Sequence, residues 1–102
     1  MDNKALILDI AMNLNRVGNW AADDYNAKKK RIGIFLEENT EYINKINLQI
    51  LPIILQRTIQ NFINEYPKLK KKGLSGPTDN LEWAESMMTW GNILTHRCNL
   101  IK

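Results

Sequence analysis

His96, Cys98 and the acidic trio Glu37, Glu38 and Glu41 are the residues of this chain whose types could do chemistry. A thiol next to an imidazole makes a nucleophile with its base, and imidazoles grouped with carboxylates hold metals. Spacing decides each case. His96 is the only histidine and Cys98 the only cysteine. Two positions apart on a helix, they point in different directions, so His96 is badly placed to act as base for Cys98. Metal centres in helical bundles set a Glu three residues before a His and repeat the pair on a second helix. No Glu stands three before His96, and there is no second His. His96 shares a polar face with Glu82, Glu85, Thr89, Asn92 and Asn99, which makes it a solvated side chain. Cys98 shares an apolar stripe with Leu94 and Ile101, where a free thiol behaves as a small hydrophobe.

Glu37 and Glu41 stand one helical turn apart and could form half of an acid–base or metal pair. They lie off the apolar stripe of their helix, however. Glu41 also has the favourable order and spacing for a surface ion pair with Lys45. Asp23 and Asp24 read as helix-start residues rather than a dyad. The run Gly73-Leu74-Ser75-Gly76-Pro77 lies near lysines but lacks the preceding strand and the Lys-Ser/Thr pair of a phosphate loop. The arginines before His96 are too far upstream for a ribonuclease-type pair. The sequence thus predicts no catalytic residue, no metal ligand, no cofactor, no small-molecule substrate and a non-enzymatic role.

The elements that carry these residues are helical. Ile32, Leu36, Ile43, Ile46 and Ile50 recur at alternating four- and three-residue spacing, interrupted only at Asn39, which is the period of a helix with one buried stripe. Ala84, Met87, Gly91, Leu94, Cys98 and Ile101 repeat it. Asp2 is placed to cap a first helix over residues 3–17, with Gly18 as its stop. A turn over 18–24 leads to a second helix ending near residue 47. Pro52 opens a third helix, and Pro67 ends it at residue 66. Residues 67–78 form a loop. Asp79, with Glu82 three residues on, caps a fourth helix that runs to about residue 100. The predicted fold is an all-α, up-down four-helix bundle making one domain over residues 1–102. A stripe through Ile7, Leu14, Gly18, Tyr25, Ile32 and Asn39 supports an alternative: three helices, the first running over 3–47 as a long lever that needs a partner chain to cover it.

Size and composition bound the rest. The chain has 102 residues, 44% of them hydrophobic and 25% charged, ordinary values for one globular domain. No apolar run of about 18 residues is present for a membrane span. Asp9 interrupts the apolar N-terminal segment where a signal peptide would be continuous. With no cysteine pair to bridge, a cytoplasmic protein is expected, without membrane contact.

Charge geometry offers one functional clue. The net charge is only +3, but eight of the fourteen basic residues fall in two blocks: Lys28, Lys29, Lys30 and Arg31, and Lys68, Lys70, Lys71 and Lys72. In an up-down bundle both blocks lie toward one end, with Arg16 near. That predicts a contact for nucleic acid or another anion, weakened by Asp23, Asp24, Asp79, Glu82 and Glu85. Tyr25, and after it Trp20, would be the stacking platforms for a single strand.

Surplus apolar surface offers the other clue. Trp83 and Trp90 are seven residues apart on the last helix, and Trp83, Met87, Met88, Trp90 and Leu94 make a stripe broader than a helix seam needs. Ile34 falls on a polar side, and the chain is apolar almost all round near Ile53, Ile54 and Leu55. Such surplus predicts a docking face or a homo-oligomer. The sequence is therefore read first as a non-catalytic interaction or assembly protein that self-associates through the last helix. The second reading is a small basic accessory subunit of a ribonucleoprotein.

Overall fold

A computed structural model describes residues 2–100 of the chain. They form three α-helices and one short 3₁₀ turn: α1 Asn3–Lys45, the turn Leu48–Ile50, α2 Ile53–Ser75 and α3 Asn80–Cys98. Ile101, assigned above to the last apolar stripe, lies outside the described residues.

The fold is all-α, but the expectation of four helices is corrected to three. The expected stop at Gly18 is absent: Gly18 is buried inside α1. A glycine within a helix costs only about 1 kcal/mol. Here the missing Cβ lets the Met88 side chain and the Ala84 carbonyl press against the backbone. Of the turn expected over 18–24, only the last residue breaks the helix: Asp24, whose φ of −157° and ψ of 89° are not helical. Its Oδ1 accepts a hydrogen bond from the Ala27 N–H at 3.1 Å, so Asp24 caps the helical turns that follow it.

That single break folds α1 back on itself. A straight helix of this length would extend about 65 Å, yet the longest dimension of the molecule is 39 Å. The arms before and after Asp24 run antiparallel and are joined along their length. Asn3 Nδ2 donates to the Asn47 carbonyl at 2.8 Å. Asn13 Nδ2 donates to Asn39 Oδ1 at 3.0 Å, and Trp20 meets Phe35 edge-on with ring centroids 5.1 Å apart. The long lever of the alternative prediction is therefore covered by its own chain, which removes the reason for an obligate partner.

Pro67 does not end α2, which continues to Ser75. A proline inside a helix forfeits one backbone hydrogen bond and costs about 3 kcal/mol. Contacts beyond Pro67 offset that cost. Trp83 Nε1 donates to the Leu69 carbonyl at 2.9 Å, and Lys70 Nζ bonds Thr40 Oγ1 at 2.7 Å and Glu37 at 3.1 Å. The Tyr25 hydroxyl donates to the Gly73 carbonyl. Gly76, at φ 96°, then ends the helix in a conformation that suits glycine. Asp79 Oδ1 accepts from the Glu82 N–H at 3.0 Å and starts α3. Asp2 starts α1 in the same way through the Ala5 N–H at 2.8 Å.

The core is continuous. Ile7, Leu14 and Val17 of the first arm meet Ile32 and Leu36 of the second, Ile59 and Phe62 of α2, and Met87 and Leu94 of α3. Chain direction alternates from arm to arm and helix to helix. The molecule therefore has two unlike ends. One holds the Asp24 break, the last turns of α2 and the start of α3. The other holds the two outer termini of α1, the 3₁₀ turn, Pro52 and the last turn of α3.

Candidate interaction surface

The helix-face residues named from the sequence mostly line the interior. Trp83 is 3% exposed, and Met87 and Leu94 are fully buried. Met88 and Trp90 are half-buried and packed on the same core, Met88 beside Gly18 and Trp90 edge-on to Phe62 at 5.4 Å. The expected docking face on the last helix is corrected accordingly. Its breadth is matched by two neighbours at once: the first arm of α1, which meets it at Gly18, and α2, whose Phe62 ring and Leu69 carbonyl take Trp90 and Trp83.

The chemical candidates are equally occupied or dispersed. Cys98 is buried, its Sγ 3.6 Å from the Lys4 carbonyl, and burial raises its thiol pKa, which lowers its nucleophilic fraction. His96 is exposed on the adjoining face. Glu37 pairs with Lys70 rather than with Glu41, and the expected Glu41–Lys45 pair is not formed: Lys70–Glu37 is the one ion pair among the described residues. Glu38 accepts from Asn13 Nδ2 at 3.0 Å and from the Tyr42 hydroxyl at 3.1 Å. That hydrogen bond is the main reason the Tyr42 pKa is raised, with burial and the Glu38 charge adding to it. No group of three or more His, Cys, Asp and Glu side chains suited to a metal occurs among the described residues.

The two basic blocks share one end only in part: Lys70 sits against Glu37 and Thr40, well along the second arm from the Asp24 break. Lys28, Lys29, Lys30 and Arg31 follow the Asp24 break, and the last turns of α2 reach it through the Tyr25–Gly73 hydrogen bond. Lys29, Lys30, Arg31, Lys68, Lys71 and Lys72 are exposed, whereas Lys28 is half-buried. Lys70 is committed to Glu37 and Thr40. Arg16 lies over the Phe35 ring at 5.8 Å. Asp23, Asp24, Asp79 and Glu82 are exposed at the same end and dilute the field. The aromatic platforms are corrected too. Tyr25 is 5% exposed and hydrogen-bonded inward, and Trp20 is half-buried against Phe35. Neither offers a free ring to a base.

The opposite end carries one group of exposed apolar residues, while Met12, Ile34, Leu74 and Leu81 are exposed elsewhere. Ile50 is 73% exposed, Ile53 64%, Ile54 60% and Leu100 61%. Pro52, Ile54 and Leu55 from the start of α2 meet Arg97 and Leu100 from the end of α3 around a cavity of about 160 Å³. The sequence marked Ile53 and Ile54 as surplus and placed Ile50 on a buried stripe, which the structure reverses. Leu100 escaped notice because its role depends on α3 ending beside Pro52, a contact between distant parts of the chain.

Comparison with known proteins finds no family model that matches this chain, and no curated protein or solved structure that matches it. No described helix is long and apolar enough to cross a membrane.

Proposed function

We propose that this protein is a non-catalytic interaction module that works by contact through its apolar end. The observation that supports this reading is the exposure of Ile54 and Leu100 on a cavity that has no polar lining apart from Arg97, with the exposed Ile50 and Ile53 close to Ile54 in the chain. Scattered exposed aliphatics are ordinary on a small domain, but a contiguous group around a concavity is characteristic of a contact site. Of the surplus from which self-association is expected, most of the α3 stripe packs into the core, while Ile34, Ile53 and Ile54 stay exposed.

A second reading keeps the lysine blocks as a contact for nucleic acid, supported by the Tyr25–Gly73 hydrogen bond that ties the last turns of α2 to the Asp24 end. Its partner would be held by phosphate contacts alone and lost with rising salt. One experiment separates the two. The full chain and an Ile53→Ser/Ile54→Ser variant are immobilised and used to capture ligands from native lysate, with and without nuclease. The main reading predicts protein partners that survive nuclease and disappear with the double variant. Partners that vanish with nuclease, or that ignore the double variant, contradict it. Both side chains are largely exposed, so the variant keeps the fold.

A further inference from the structure

The charges around the apolar end identify the kind of partner it fits. No Asp or Glu occurs from Ile46 to Asn64, which supplies the 3₁₀ turn and the start of α2, or from Ser86 to Leu100, which supplies most of α3. The same stretches bring Arg57 and Arg97, both exposed and neither ion-paired among the described residues. Arg57 stands one turn beyond Ile53 and Ile54 on α2, and Arg97 lines the cavity beside Leu100. Asp2, which starts α1 at this end, accepts from the Ala5 N–H and keeps its charge, which reaches Cys98 beside Arg97. The apolar patch is edged by Arg57 and Arg97, with Asp2 as a nearby anion.

We infer that this end binds an acidic protein segment that presents an apolar anchor side chain next to carboxylates; the inference rests on the interaction reading above. The cavity holds about 160 Å³, well under the roughly 300–1,000 Å³ of a small-molecule site. It is sized for one inserted aliphatic or aromatic side chain, the usual form of an interface anchor. Guanidinium groups at its edge take carboxylates in a planar, paired geometry. A second copy of this chain is a poor occupant, because it would bring the same arginines to face Arg57 and Arg97 across an apolar contact. A flat lipid surface would leave the concavity unfilled.

The test is selection of a random peptide display library on the full-length chain, followed by affinity measurements on the enriched peptides. Variants Ile54→Ser and Arg57→Gln/Arg97→Gln, together with vesicles of equimolar phosphatidylcholine and phosphatidylserine, complete it. The expected pool is rich in Asp and Glu flanking a large apolar residue. Its affinity falls about tenfold or more with either variant, equivalent to at least 1.4 kcal/mol, and falls again with added salt. An uncharged or basic pool, failure to enrich any peptide, binding indifferent to the arginine variant, vesicle binding in place of peptide binding, or a dimer that masks the patch would each overturn the inference. Its failure is distinguishable from failure of the interaction reading. Lysate partners lost with Ile53→Ser/Ile54→Ser but kept by Arg57→Gln/Arg97→Gln would sink the acidic segment and leave the contact site standing.

Discussion

Tyr66 shows how a polar atom is carried into the core without loss. The residue is 3% exposed, and its hydroxyl donates to the Leu36 carbonyl at 2.7 Å across the helix interface. Burial, reinforced by the nearby Glu37 charge, pushes its pKa far above the ordinary value of 10.0. The sign of the pH effect follows. Above pH 10 the unfolded chain sheds this proton while the folded chain keeps it, so the unfolded state binds fewer protons and stability falls as pH rises. Below pH 10 the contribution is fully present. Tyr66→Phe should lower stability at neutral pH by about 1 kcal/mol, the net worth of one hydrogen bond. It should also flatten the loss of stability above pH 10 in urea titrations. Tyr25, whose pKa burial also raises, and Tyr42 leave a residual slope. An unchanged alkaline slope in the variant would contradict the assignment. The stripe through Ile7, Gly18 and Ile32 places Tyr25 inside by period, but not its hydrogen bond, because the carbonyl that receives its hydroxyl lies 48 residues away.

At the scale of elements, helical period was legible and helix ends were only partly so. The caps at Asp2 and Asp79 are local, since a carboxylate meets an N–H three residues on, and both were read correctly. Gly18 and Pro67 are also local signals, and both misled. Each carries a modest intrinsic penalty that tertiary contacts outweigh: Met88 and Ala84 close on Gly18, and Trp83, Lys70 and Tyr25 hold the turns after Pro67. The break falls at Asp24, the last residue of the expected turn, where its carboxylate caps the helical turns that follow, as its reading as a helix-start residue implies. Asn39 looked like a flaw in an apolar row, yet it is fully buried and accepts the Asn13 amide from the facing arm. It therefore fixes the register in which α1 folds back. Asn39→Ala should cost about 1–3 kcal/mol, because the Asn13 amide loses a partner in a dry setting. Asn13→Leu/Asn39→Leu together should cost less than the sum of the two single changes in urea unfolding. Strict additivity would show that the pair is not coupled.

Across the whole molecule, one fold-back sorts the surface into a basic end and an apolar end edged with arginine. The basic blocks are visible as sequence runs; the α2 block lies partly along the second arm, with Lys70 on Glu37 and Thr40. The apolar end was half visible. Ile53 and Ile54 stand out as surplus, but the tryptophans are the stronger apolar signal, and the core takes up Trp83 wholly and Trp20 and Trp90 in part. Without the Asp24 reversal, Asn3 and Asn47 would lie far apart and neither end would exist as described. Electron paramagnetic distance measurement tests this directly, using spin labels on cysteines placed at the exposed positions Lys4 and Lys45 in a Cys98→Ala background. Antiparallel arms predict labels about 10–20 Å apart; a single narrow distribution near about 60 Å, the span of a straight helix, would contradict the fold-back and the surface built on it.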